Sequence, residues 1–349
     1  MSMTYPMAMV TAPGKVEFQT KTLPDLGVRD VLVQVKAAAI CGSDLHIFKG
    51  MHPSAALPVS IGHEASGQII AVGEEVQKHK IGDRVTIEPI IACGKCDFCI
   101  RGEYHLCVHV SFQYRTGQGA FAPYFIASED RVFKLPDHLS YEEGALVEPL
   151  AVALHAVKKS GIRLGQTCAV FGAGAIGLLV AMLSHRTTAS DVFVADINPF
   201  RLEKALELGA TEVINSLSLN PVETILERTG QMGVDRSFEA VGLEATLIQS
   251  LTALKKGGTA TLLGIFEKPD AVLPINLFVQ REINLAGSQG YCWDFQDGLA
   301  LLENNVVDLK KLITHCLNFD ELQQGFETLL NPQSNAIKVV INIDHDLFV

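Results

Sequence analysis

The sequence is short of positive charge and contains no internal repeat, no low-complexity tract and no apolar run of membrane-spanning length. Lys+Arg 28 against Asp+Glu 39 gives a formal net charge of −11, so there is no general positive field to draw nucleic acid or anionic lipid. Neither is expected as a partner. The longest uncharged apolar stretch, Cys168 to Leu183, falls below the ~18 residues of a membrane span and is interrupted by glycine. The N-terminal MSMTYPMAMVTAPGK lacks the basic and then apolar order of a secretory signal, and a cytoplasmic location is expected. Disorder is excluded as well, since 48% of the residues are hydrophobic and only 19% charged.

What is present fills a chain of 349 residues, or about two domains at ~150 residues each. Residues 7 to 130 carry short β-type runs, 30–40, 67–73, 83–89 and 121–127, separated by glycine, proline and aspartate. A mainly β domain is expected there. From Pro149 the spacing turns helical and ends at Gly161. Between 167 and 287 strand and helix alternate, with one helix expected to run to Lys255, which implies a parallel sheet covered on both faces. Two helical stretches and a terminal β run, AIKVVINI, follow.

Gly172, Gly174 and Gly177 form G-x-G-x-x-G directly after an apolar strand and before an apolar helix. The first glycine permits the turn, the second a close approach of pyrophosphate, and the third close packing of helix on strand. The helix N-terminus adds N–H donors for the phosphates. Nineteen residues past Gly177, Asp196 ends the next strand, where a carboxylate accepts from a ribose 2′-hydroxyl and repels a 2′-phosphate. NAD is therefore expected over NADP. Arg201 complicates this, since it would suit a phosphate, stack on adenine or pair at the surface.

There are eight cysteines, and four of them, Cys93, Cys96, Cys99 and Cys107, are clustered as C-x2-C-x2-C-x7-C. Four thiolates so spaced suit a closed tetrahedral zinc site. An iron–sulfur cluster competes, but the proline that usually follows its fourth cysteine is absent: Val108 follows Cys107. Three shorter motifs, CGSDLH (41–46), GHE (62–64) and VEPL (147–150), are individually weak, because a lone Cys41 or His63 is commonly a core residue. Together they offer a thiolate, an imidazole and two carboxylates, a set suited to an open catalytic zinc.

With CGSD, GHE, the four-cysteine lobe, VEP, GAGAIG and the strand-end aspartate in this order, the chain resembles the zinc-dependent medium-chain dehydrogenase/reductase superfamily, in its sorbitol (polyol) dehydrogenase-like branch. The resemblance implies an α/β architecture: a GroES-like, mainly β catalytic domain over 1–150, completed by 291–349, and a doubly wound Rossmann domain over 151–290. It implies two zinc ions per chain, one catalytic and one structural, with Cys41 and His63 as ligands of the first. Either Glu64 or Glu148 would ligate directly while the other holds the zinc water. Asp44 would orient His63, and Ser43 and His46 would relay the alcohol proton to solvent. Ile176, Gly264, Ile265, Ser288 and Gln289 join the glycines, Asp196 and Arg201 as cofactor contacts. A homodimer or homotetramer is implied, and the apolar run VLPINLFV (272–279) offers either an interface or a buried strand.

The implied reaction is transfer of a hydride from a secondary hydroxyl of a polyol, sugar or sugar acid to NAD. Simple alcohols, butanediol or threonine are the alternative substrates, and a silent nucleotide-binding protein would have lost the ligand set. The chain departs from the branch at Gly290, where an arginine precedes the tyrosine matched by Tyr291, at Ile47, where an aromatic residue is usual, and at Pro123, which replaces a glutamate. Recognition of sorbitol itself is not implied. Gln113, Tyr114, Arg115 and Gln118 follow the cysteine lobe and could supply polar contacts, Arg115 either meeting a sugar-acid carboxylate or lying in solvent.

Overall fold

The computed structural model describes residues 3–187 and 190–344. They fold into two compact units, one drawn from Met1–Glu148, Phe295–Asn304 and Asp308–Val349, the other from Pro149–Asp294 and Asn305–Val307.

The first unit is built on a sheet whose central strand, Asp30–Ala39, pairs antiparallel with Glu64–Val72 on one side and with Lys338–Asn342 on the other. Arg84–Ile87, Val132–Lys134 and Ile313–Asn318 extend the sheet, and Tyr124–Ser128 also pairs with the central strand. Val31, Val33 and Val35 have no exposure, as β-branched residues on a fully covered strand should. Register matters for function here. Ala39 lies opposite Glu64 on one flank and opposite Val340 on the other, so Cys41, Glu64 and the start of the last strand meet at one sheet end. The short helix Gly42–Phe48 is held there by Phe48 stacking on Phe326, at 4.7 Å between ring centroids. A hairpin of Thr4–Ala12 and Lys15–Thr22 turns at Gly14, where φ is +76°. Its second strand alternates Lys, Glu, Gln and Thr with few apolar residues, so it carries little strand signal in the sequence.

The second unit is a sheet of six parallel strands, Cys168–Phe171, Val192–Asp196, Glu212–Asn215, Val234–Glu239, Leu254–Leu262 and Asn284–Gly287, in the spatial order third, second, first, fourth, fifth, sixth. The order reverses between Cys168–Phe171 and Val234–Glu239, and such a reversal opens a crevice at the carboxyl ends of the strands. Two expectations are corrected here. The helix expected to reach Lys255 spans Glu244–Thr252, and Lys255 belongs to the next strand. There Leu254 pairs with Val234 and Lys255 forms an ion pair with Asp235, so tertiary pairing overrides the turn-like Lys-Lys-Gly-Gly. Residues 272–279 are not a buried strand: Val272, Ile275 and Val279 are exposed, and the helix Asn276–Arg281 takes up the second half. Among the described residues no helix is long and apolar enough to cross a membrane.

Candidate metal centres and cofactor crevice

Cys41 stands immediately before the helix Gly42–Phe48, and its backbone N–H donates to Asp44 Oδ2 at 3.1 Å. Asp44 is fully buried; its Oδ1 accepts from Gly62 N–H at 3.1 Å and lies 3.6 Å from His63 Nδ1. This leaves His63 Nε2 on the other side of the ring, 3.5 Å from Ser43 Oγ. One ligand atom each from Cys41, His63 and Glu64 lies within 4.8 Å of the others. Glu148 is buried but is not a member of that trio.

Burial works against a charged His63, yet the Asp44 carboxylate and the Cys41 thiol group outweigh it and hold the imidazole pKa well above its ordinary value. The cluster is a place that demands positive charge, and a thiolate, an imidazole and a carboxylate are donors that fit a dication.

The second cluster is Cys93, Cys96, Cys99 and Cys107, again with all four sulfurs within 4.8 Å of one another. Backbone N–H groups of Cys93 and His109 donate to Cys107 Sγ, each at 3.3 Å. Backbone donors from Cys99 and Val108 bring the Cys96 thiol down to about 6, whereas burial and its neighbours push Cys99 up to about 12. Thiolates crowded in this way repel one another until a cation neutralises them, which is the chemistry of a closed zinc site. The lobe is docked by Tyr104, whose hydroxyl donates to buried Glu88 at 2.6 Å while Arg131 lies over its ring and donates to Glu88 at 2.9 Å.

In the second unit a Cβ on Gly177 would fall 1.8 Å from Gly172 O, so only glycine allows that helix to pack. Gly174 faces open space, as the position approached by pyrophosphate must. Asp196 accepts from Ala173 N–H at 2.6 Å and from Asn198 N–H at 2.8 Å, which ties this strand-end carboxylate to the glycine-rich turn. Arg201 lies in the first turn of the helix Pro199–Glu207, capped by Asn198. Ile176, Ser288 and Gly264 are at least partly covered, and Ile265 and Gln289 are exposed.

Residues 27–137 match the model of the alcohol dehydrogenase GroES-like domain, and residues 175–304 match that of the zinc-binding dehydrogenases. The chain belongs to the zinc-dependent medium-chain dehydrogenases. It is 34% identical to a sorbitol dehydrogenase of Bacillus subtilis over 94% of each chain. It is 35% identical to an L-idonate 5-dehydrogenase of Vitis vinifera, over 94% of this chain and 92% of that one. The crystal structure of 2R,3R-butanediol dehydrogenase from Bacillus subtilis superposes with a TM-score of 0.87 at 35% identity, covering 97% of this chain and all of that one. The protein is an NAD-dependent dehydrogenase of the zinc type, with two separate clusters able to hold metal and a Rossmann domain for the dinucleotide.

Sequence reasoning about this dehydrogenase missed Lys338. Its ammonium donates to both carboxylate oxygens of Glu64 and to Ile40 O at 3.1 Å, with Lys338 3% exposed and Glu64 fully buried. Burial alone would depress the lysine pKa, but Glu64, Cys41 and Glu148 raise it. The available signal was a single cation inside the otherwise apolar AIKVVINI, without the alternation of a half-exposed strand. Glu239 was also missed. It is fully buried, and its Oε1 accepts from Val241 N–H, Gly242 N–H and the Thr246 hydroxyl, which shapes the lip of the crevice.

Two expected contacts take other parts. Ile47 is 1% exposed inside the core of the first unit, so the missing aromatic is replaced by packing rather than by open space. Gln113 and Gln118 both spend their amide donors on Ile126 O, at 3.1 and 3.0 Å.

Proposed function

We propose that this dehydrogenase oxidises a secondary hydroxyl of a polyol, sugar or sugar acid, with NAD as the acceptor. The observation that carries the reading is the convergence of Cys41, His63 and Glu64 beside Ser43, together with buried Glu148 at the position where the resemblance places a second thiolate in simple alcohol dehydrogenases. A hard carboxylate also accepts hydrogen bonds from water or hydroxyl groups, which favours substrates with a neighbouring oxygen. Zinc held by Cys41, His63 and either Glu64 or Glu148, when bound, supplies a Lewis acid that lowers the pKa of the substrate hydroxyl. Asp44 fixes the His63 ring from behind through the 3.6 Å approach to Nδ1. Ser43 Oγ accepts the alcohol proton, and His46, on the same helix, passes it to solvent. Cys93, Cys96, Cys99 and Cys107 would hold the structural zinc.

The test is NAD reduction by the zinc-loaded enzyme across polyols, aldonates, vicinal diols and plain secondary alcohols. A polyol or aldonate should have the highest kcat/KM; a higher value for 2-butanol would end the proposal. The second reading, a vicinal-diol oxidation, is supported by the likeness to 2R,3R-butanediol dehydrogenase and would show as preference for 2,3-butanediol.

For the cofactor, Asp196→Ala should raise kcat/KM with NADP relative to NAD, because it removes the carboxylate that repels a 2′-phosphate. A wild type that already prefers NADP would make Arg201 the governing contact and reverse the sign. We further propose a homodimer or homotetramer, supported by the exposed Val272, Ile275 and Val279. Light scattering at micromolar concentration should find no monomer. None of the eight cysteines is paired in a disulfide, which supports the reading of a reducing, cytoplasmic location.

A further inference from the structure

We infer that Arg115, His52 and Ser54 form a subsite for an anionic end of the substrate, a carboxylate or a phosphate ester, on the rim of the Cys41–His63–Glu64 centre. This rests on the polyol or sugar-type reading above and narrows it to a charged member of that class.

The argument begins with what Arg115 lacks. In a chain of net charge −11 an exposed arginine readily finds a carboxylate, yet among the described residues this guanidinium meets only neutral groups. It donates from Nε to the Tyr114 hydroxyl at 3.2 Å and from Nη2 to Ser54 Oγ at 2.7 Å, and lies 5.7 Å from the centroid of the Tyr114 ring. A guanidinium has five N–H donors, so most of its fork remains to be used. Those two contacts also fix its orientation, and a held fork loses less entropy when it binds an anion.

Ser54 ties in a second donor, His52. Its backbone N–H donates to His52 Nδ1 at 3.2 Å, so the neutral imidazole carries its proton on Nε2, turned away from that contact. Burial first, then Arg115 and His46, keep the His52 pKa below the ordinary value, while Asp44 is the acidic group opposing them. Asp44 cannot neutralise the rim, because it is fully buried and its oxygens are taken by Cys41 N–H, Gly62 N–H and the approach to His63. The rim is therefore positive, with a charged fork and a neutral N–H donor side by side, the combination that binds a carboxylate or phosphate.

The placement relates this rim to the chemistry. Tyr114 is buried, and its ring centroid is 5.7 Å from that of His63. Tyr114 thus lies against both the metal-binding histidine and the Arg115 fork. A sugar-length chain with its reacting hydroxyl at the metal centre reaches across that ring with its far end.

The test uses the zinc-loaded enzyme with NAD and three probes that share one carbon skeleton: D-sorbitol, D-gluconate and D-sorbitol 6-phosphate. One of the two anions should exceed sorbitol in kcat/KM by about tenfold or more, and Arg115→Gln should collapse that ratio by a similar factor, with Arg115→Lys retaining part of it. The favoured anion distinguishes carboxylate from phosphate. A ratio unchanged in Arg115→Gln, or sorbitol as the preferred probe, overturns the subsite. A readout independent of turnover separates this inference from the reaction it rests on: the His52 imidazole resonance should move on titration with acetate or inorganic phosphate, and stay still in Arg115→Gln. A moving resonance without turnover of any probe supports the subsite and removes the polyol reading. A still resonance in the wild type with both anions overturns the subsite.

Discussion

Cys41→Ala should abolish NAD reduction, by at least about 10³-fold, and leave the fold intact, whereas Cys99→Ala should unfold the cysteine lobe. The first effect follows from losing Lewis-acid stabilisation worth several kcal/mol. The scaffold around Cys41 does not depend on its side chain: Asp44 accepts from the Cys41 backbone N–H, and Phe48 remains stacked on Phe326. Cys99 is different. The helix it sits in, Asp97–Ile100, has no buried residue, so the loop has little apolar core of its own. Metal binding to such a loop is folding free energy, about 10–16 kcal/mol in small zinc-dependent units. Both variants should lose one zinc of two by elemental analysis. Limited proteolysis should cut within 93–107 only in Cys99→Ala, and equal loss of folding from the two changes would refute the division into a chemical and a structural site.

Lys338→Met should destabilise the metal-free protein by about 3–5 kcal/mol, because it leaves the Glu64 carboxylate buried without its cation. In a chain of this size that is on the order of 10 °C in Tm. Zinc should recover much of the loss, since a metal ion offers the abandoned carboxylate another positive partner, and Lys338→Arg should stay near the wild type. Calorimetry with and without zinc checks this; a metal-free Lys338→Met as stable as the wild type would show that the pair is neutral to stability. The pH sign agrees. The folded Lys338 pKa lies above the ordinary 10.5, so its contribution is complete below the unfolded value and lost only as pH rises through the folded one. Stability near neutrality should therefore not respond to this group.

Much of the site was legible because its chemistry sits in short local motifs. C-x2-C-x2-C-x7-C places four thiolates within one loop, and the three glycines of GAGAIG each answer a local steric demand, most plainly at Gly177 against Gly172 O. Asp44 could be assigned to His63 from the resemblance, and the buried approach to His63 Nδ1 supports it. Lys338 could not be read in this way, since it lies 274 residues from Glu64 along the chain. Its only trace was a charge among apolar neighbours, and a buried cation cannot be interpreted until its counter-charge is known.

The sequence by itself determined the fold class, the dinucleotide fingerprint and the four-cysteine cluster, because each depends on residue type at short spacing or on hydrophobic period. Only the tertiary structure decided that Glu64 lies in the ligand trio while held by Lys338, that Leu254 starts a strand rather than ending a helix, that Gln113 and Gln118 face backbone while Arg115 keeps an open fork, and that Ile47 is core. Each of these is fixed by which strand lies beside which. Strand pairing joins residues hundreds of positions apart, and neither propensity nor motif spacing carries that information.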